Sequence, residues 1–162
     1  MKMSIKKSSV IMVVLMVLLS LTAAYAAPAI ANGNHYSDEF SIAIWKDGQT
    51  LPETNSTQYS MANKAIVENS QELNVSNNGG SLTFDIQPFE KWGIKGYMTS
   101  LKVDFGNGYV DAEFSGDTVT LAIPVSELTA ENHLYPAKVE NSVVGIPMKK
   151  DIEFYIDLSD CY

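Results

Sequence analysis

Apolar and polar residues alternate with a period of two along most of this chain. Phe40, Ile42 and Ile44 share one face of "EFSIAIW", and Leu82, Phe84 and Ile86 share one face of "SLTFDI". Near the end, Ile152, Phe154, Ile156 and Leu158 alternate with Glu153, Tyr155 and Asp157. A spacing of two puts side chains on one side of a pleated strand, so each segment predicts a half-buried β-strand. "GYMTSLKVDF", "YVDAEF", "TVTLAIPV" and "YPAKVENSVV" add further candidates, separated by the turn formers Asp47-Gly48, Asn78-Gly79-Gly80, Asn107-Gly108 and Ser115-Gly116-Asp117. No long window carries a 3.6-residue period, and the helical candidates are two short pieces, "YSMANKAIV" and "PVSELTAEN". The pattern predicts an all-β fold: an immunoglobulin-like antiparallel β-sandwich of roughly 7–8 strands with a short helix at one end.

The N-terminus breaks this pattern. Lys2, Lys6 and Lys7 precede the apolar run Val10 to Ala24, and Ala24-Tyr25-Ala26 fits a small-residue cleavage site. Residues 1–26 are therefore expected to be a secretory signal peptide, residues 27–37 a flexible lead-in and residues 38–160 a single sandwich domain. The mature chain would hold 162 − 26 = 136 residues, the size of one domain. It is expected to be secreted or held at the cell surface.

Beyond the leader the sequence has eight lysines, no arginine and nineteen acidic residues, a formal charge of 8 − 19 = −11. Phosphate recognition draws on clustered Lys and Arg, so nucleic acid is not an expected partner, and neither is an anionic membrane surface. The single cysteine, Cys161, excludes an internal disulfide and reads as a thiol at a frayed end rather than a site of intermolecular pairing.

Several motifs dissolve on inspection. Leu51-Pro52-Glu53-Thr54 looks like a sortase anchoring tag, but Asn55 stands where glycine is usual and 162 − 54 = 108 residues follow, so a loop is the better reading. His35 and His133 have no metal-ligand spacing, and "DFGNGYVDAE" does not match a calcium loop, so a hairpin through Asn107-Gly108 is expected instead. No nucleophile–base pair stands out, and the protein is not expected to be an enzyme. Trp45, Trp92, Tyr97 and Tyr109 could form a sugar platform if exposed, and alternation points Trp45 away from Ile42 and Ile44.

One constellation remains. Tyr59-Ser60-Met61-Ala62-Asn63-Lys64-Ala65 sets an aromatic, a hydroxyl and a polarizable thioether on a short turn, where they could cover a flat apolar ligand. The order "WKDGQ…YSMANKAI…GGSLTFDI…IKGYMTSLKV…GIPMKKDIEFYIDL" resembles the NEAT (near-iron-transporter) domains, immunoglobulin-like modules of Gram-positive cell-surface haem proteins, over roughly Phe40 to Leu158. The resemblance implies capture or relay of haem for iron acquisition, with haem or a haemoprotein and other haem-relay proteins as partners. It implies that Ser60 meets a propionate and Met61 the porphyrin face, with Tyr59 nearby.

The family's haem binders also carry Y-x-x-x-Y in the last long strand, the first tyrosine ligating ferric iron. Aligned on "GIPMKKDIEFYIDL", those positions are Met148 and Ile152, which makes Met148 the candidate iron ligand. A thioether is soft and neutral and favours reduced iron, where a phenolate favours ferric. Tyr155 falls on the opposite strand face and is not expected to replace it. The alternative is a module that has lost haem and binds a protein, such as a haemoprotein or a host surface protein, with Tyr59 as an anchor.

Overall fold

In the computed structural model, which describes residues 29–51, 57–91 and 93–161, the alternating segments form eleven strands and two short 3-10 helices. The first half contains β1 (Gly33–Tyr36), β2 (Ser41–Lys46), the helix η1 (Met61–Ala65), β3 (Glu72–Ser76), β4 (Gly79–Asp85), β5 (Phe89–Lys91) and β6 (Ile94–Asp104). The second contains β7 (Tyr109–Asp111), β8 (Glu113–Ser115), β9 (Thr118–Ile123), the helix η2 (Val125–Glu127), β10 (Asn132–Val143) and β11 (Ile146–Asp157). All ladders are antiparallel. One sheet is five-stranded in the order β1-β3-β4-β9-β8; the other is six-stranded, β2-β11-β10-β6-β5, with β7 paired to the far end of β6.

The two sheets face each other across one core. Leu73, Leu82, Phe84, Val119 and Leu121 come from the five-stranded sheet, and Ile44, Leu101, Val103, Val139, Phe154 and Ile156 from the six-stranded one. Each such side chain contributes about 1.5–3 kcal/mol by leaving water. The inward residues are those that the period-two pattern selects, so the all-β sandwich read from the sequence is the fold observed.

Three expectations need correction. Residues 29–37 are not a flexible lead-in. Ile30 is in the core and its N–H donates to the Leu128 carbonyl at 3.2 Å, while β1 pairs along β3 and buries His35. His35 then holds the Ala31 carbonyl at 3.0 Å through Nε2 and sits 3.3 Å from Glu39 through Nδ1. "GNHY" turns only one side chain inward, so backbone pairing rather than apolar alternation makes this strand. The strand number also exceeds the expected one, because β5, β7 and β8 are three residues each, too short for a period to register. "YVDAEF" in particular is a corner: Val110 serves one sheet and Phe114 the other, and between them the Ala112 N–H donates to Leu101 at 2.9 Å.

Trp45 is not the exposed platform residue that strand parity allowed. It does point away from Ile44, but it is only 1% exposed, stacked on Tyr155 at 4.5 Å between ring centroids and flanked by Leu51 and Leu134. It is a packing residue on the outer face of the sheet and offers no sugar platform. The hairpin through Asn107-Gly108 forms as expected, with Asp104 Oδ1 accepting from the N–H groups of Gly106 and Gly108 at 2.9 and 3.0 Å. The proposed leader (1–26), Pro52 to Ser56 of the "LPET" loop and Trp92 lie outside the described residues.

Cys161 is the third. It sits in the main core, with Sγ 3.6 Å from the Glu39 carbonyl, not at a frayed end. Burial, reinforced by Glu39, Asp160 and Asp157, pushes its thiol up to about 11. The thiolate is the reactive form. A disulfide-exchange reagent at pH 8 is therefore expected to leave Cys161 unmodified in the folded protein and to label it fully in urea; rapid labelling of the native state would contradict the packing.

Candidate functional site

Ser60 starts the lip of a cleft. It caps η1 from an extended backbone conformation, its Oγ accepting from the Ala62 N–H at 3.4 Å and its carbonyl from Asn63 at 3.1 Å. Ala62 and Ala65 are small and buried, which lets this single turn lie close against the sandwich. Hydrogen bonds to neighbouring backbone fix it at both ends. Ser60 N–H donates to the Ile44 carbonyl at 2.8 Å, Ile44 N–H donates to Asn63 Oδ1 at 2.7 Å, and Gln87 N–H donates to the Ala65 carbonyl at 2.7 Å.

The floor is the β10–β11 hairpin. Both strands run twelve residues, but β2 pairs only with Ile152 to Asp157 of β11, so the tip half of the hairpin extends beyond its neighbour. The turn places Val144 and Gly145 at φ 53° and 78°, the backbone of a tight two-residue hairpin loop. Asn141 lies opposite Met148, and Val139 opposite Lys150. In the pairing with β6 the register shifts between Glu140 and Asn141, where Thr99 is the extra residue of a bulge on β6.

Ser60, Met61 and Ala62 above, Val139, Asn141, Val143, Met148 and Lys150 below, and Phe89 and Ile94 at the side enclose a cleft of about 280 Å³. Its walls are largely apolar, as ligand pockets are. Ser60 and Met61 on the lip and Met148, distant in the chain, thus line one cleft. Tyr59 and Ile152 do not. Tyr59 forms an isolated bridge with Trp45 and faces a separate, wider groove with Ser41, Asn63 and Gln71, because consecutive extended residues point in opposite directions. Ile152 shares the face of Met148 but lies deeper, in the core opposite Ala137. Tyr155 is on the other face, against Trp45, as strand parity requires.

Sequence reasoning missed Phe89, Ile94, Val139, Asn141, Val143 and Lys150. Two of them left a legible signal. Asn141 and Lys150 are polar residues at positions whose parity is inward, between Val139 and Val143 on one strand and before Ile152 on the next.

Gly96 explains why Phe89 can form a wall. The two are cross-strand partners, and a Cβ on Gly96 would stand 2.4 Å from the Phe89 Cζ. The ring therefore lies flat over the glycine. Gly96→Ala should push it toward the cleft, costing about 1–3 kcal/mol in stability and narrowing the space for any ligand; unchanged urea unfolding would show that the ring has room to move elsewhere.

The charge is distributed unevenly. Lys46, Lys91, Lys95, Lys102, Lys138, Lys149 and Lys150 all lie on the six-stranded sheet and Lys64 lies on η1, while the five-stranded sheet carries no lysine. Lys102 pairs with Asp111 at 2.7 Å, Lys149 with Glu140 at 3.3 Å, and Lys138 sits over the Tyr109 ring at 4.7 Å. No protein-family model matches the chain, and no curated protein is significantly similar to it.

Proposed function

We propose that this protein is a haem-binding module of the NEAT type, which captures haem outside a Gram-positive cell and relays it for iron acquisition. The observation that carries the reading is the meeting of Met61 on the lip and Met148 on the floor in one apolar cleft. The residues suit an iron porphyrin in polarity and donor chemistry. Phe89, Ile94, Val139 and Val143 offer apolar contact for the macrocycle, and the two thioethers offer polarizable sulfur to its metal or its face. Among the described residues no group of three or more His, Cys, Asp or Glu side chains is placed to hold a metal ion. Met148 would be the residue to hold the haem iron through its sulfur, and Met61 would lie against the macrocycle. Bound haem would supply the redox-active iron; the protein would supply orientation, apolar contact and soft donors.

Capture through Tyr59 of a protein partner is the less favoured reading, because Tyr59 lies outside this cleft. Titration of the purified protein with hemin, oxidised and then reduced with dithionite, tests the proposal. A saturable one-to-one shift of the Soret band, tighter in the reduced state, is expected. Absence of any shift in both states at micromolar protein would refute it.

A further inference from the structure

We propose that Lys150 and Asn141 form a carboxylate-binding pair on the floor of the cleft, so that its ligand is a planar apolar molecule bearing a carboxylate. The inference rests on the cleft taking a porphyrin-like ligand and identifies the group by which that ligand is held. Its starting point is strand parity. On β11, Lys150 occupies the same face as the core residues Ile152, Phe154 and Ile156; on β10, Asn141 occupies the same face as Ala137 and Val139. A buried polar side chain on such a face is uncommon unless it is paired, and Asn141 is buried, whereas Lys150 is exposed on the free half of the hairpin at the edge of the cleft.

Neither of these is paired. Asn141 is 9% exposed, and its Oδ1 is shielded from solvent with no hydrogen-bond partner. Its Nδ2–H, on a side chain that lines the cleft, is the donor it can offer a ligand there. Lys150 has no carboxylate partner among the described residues, whereas Lys102 and Lys149 on the same sheet do. Because Asn141 lies opposite Met148 and Lys150 opposite Val139, the two are diagonal neighbours across the ladder. Their Cα atoms are then about 7–8 Å apart, a span that one carboxylate can bridge between an ammonium and an amide.

Ser60, which the family resemblance makes a carboxylate contact, accepts the Ala62 N–H through its hydroxyl oxygen and keeps its O–H to donate, so the floor pair adds to that contact. The pair also answers an electrostatic difficulty. An acidic protein repels a dicarboxylate, and a lysine without a carboxylate partner on the wall of the cleft reverses the sign locally.

The test compares iron-free protoporphyrin IX with its dimethyl ester, by porphyrin fluorescence, on the wild type and on Lys150→Met, Asn141→Leu and the outer-face control Lys102→Met. Loss of a charge-assisted hydrogen bond changes affinity by about tenfold or more. The wild type and Lys102→Met should prefer the diacid by about that factor. Lys150→Met and Asn141→Leu should bring the ratio close to one while binding the ester about as well as the wild type does. Thermal unfolding of each unliganded variant, expected to be no lower than the wild type's for Asn141→Leu, separates a lost contact from a lost fold. Equal binding of diacid and ester by the wild type, or a preference that survives both floor substitutions, overturns the proposal. Because the probe has no iron, diacid preference without a hemin response would remove only the iron-ligand reading. Failure of both porphyrins to bind would remove both.

Discussion

Met148→Ala is expected to weaken binding of reduced haem by more than about a hundredfold and to leave the fold intact. The size follows from comparison with outer-shell groups at metal sites, whose loss alone typically costs about 10–100-fold. A direct donor should exceed that range. The fold should survive because Met148 is 47% exposed on the free half of the hairpin, away from the main core. Met148→Tyr supplies the complementary result. A phenolate in the same place is a hard anionic donor, so the preference should move from reduced to oxidised iron. Spectra and titrations of both variants in both oxidation states check this; wild-type affinity in Met148→Ala would move the iron to another donor.

The sequence made the sandwich legible where alternation was long enough. β4, reading Gly80, Leu82 and Phe84 inward against Ser81, Thr83 and Asp85, could be identified from its pattern alone, and so could the second half of β11. β1 could not, because one inward histidine carries no period and its stability comes from the β3 backbone. Parity also distinguished faces correctly for Met148 and Tyr155. It could not tell what covers a face, so it placed Trp45 on the outer side and left its exposure open. The lip was recognisable from Ser60 and Met61, whereas Tyr59 illustrates the limit of adjacency: one residue earlier in an extended segment is the opposite wall. Asn141 and Lys150 were legible in principle as polar interruptions of an inward face, but β10 and β11 had to be paired before two isolated interruptions became one site.

Trp45→Ala is expected to be among the most destabilising single substitutions in the chain, by about 3–5 kcal/mol. The indole is 1% exposed and is the largest member of a small cluster with Ala43 and Tyr155, so truncation leaves a cavity that few neighbours can fill. Trp45→Phe should cost far less. It keeps a ring on Tyr155, and it removes the indole N–H, which is buried with no hydrogen-bond partner. Urea unfolding of the two variants should separate them by several kcal/mol; similar losses would mean that the indole volume, not aromatic stacking, holds the cluster. The effect should also reach the cleft. β2 carries Trp45 between Ile44 and Lys46, and the backbones of those two neighbours hold Ser60 and Gln58 at 2.8 and 2.7 Å. Loosening β2 therefore loosens the entry to η1 before it disturbs the β10–β11 floor. Hydrogen exchange in Trp45→Ala should accelerate first at the Ser60 amide and only later at the amides of β10, so the lip depends for its position on a tryptophan cluster on the opposite face of the sheet.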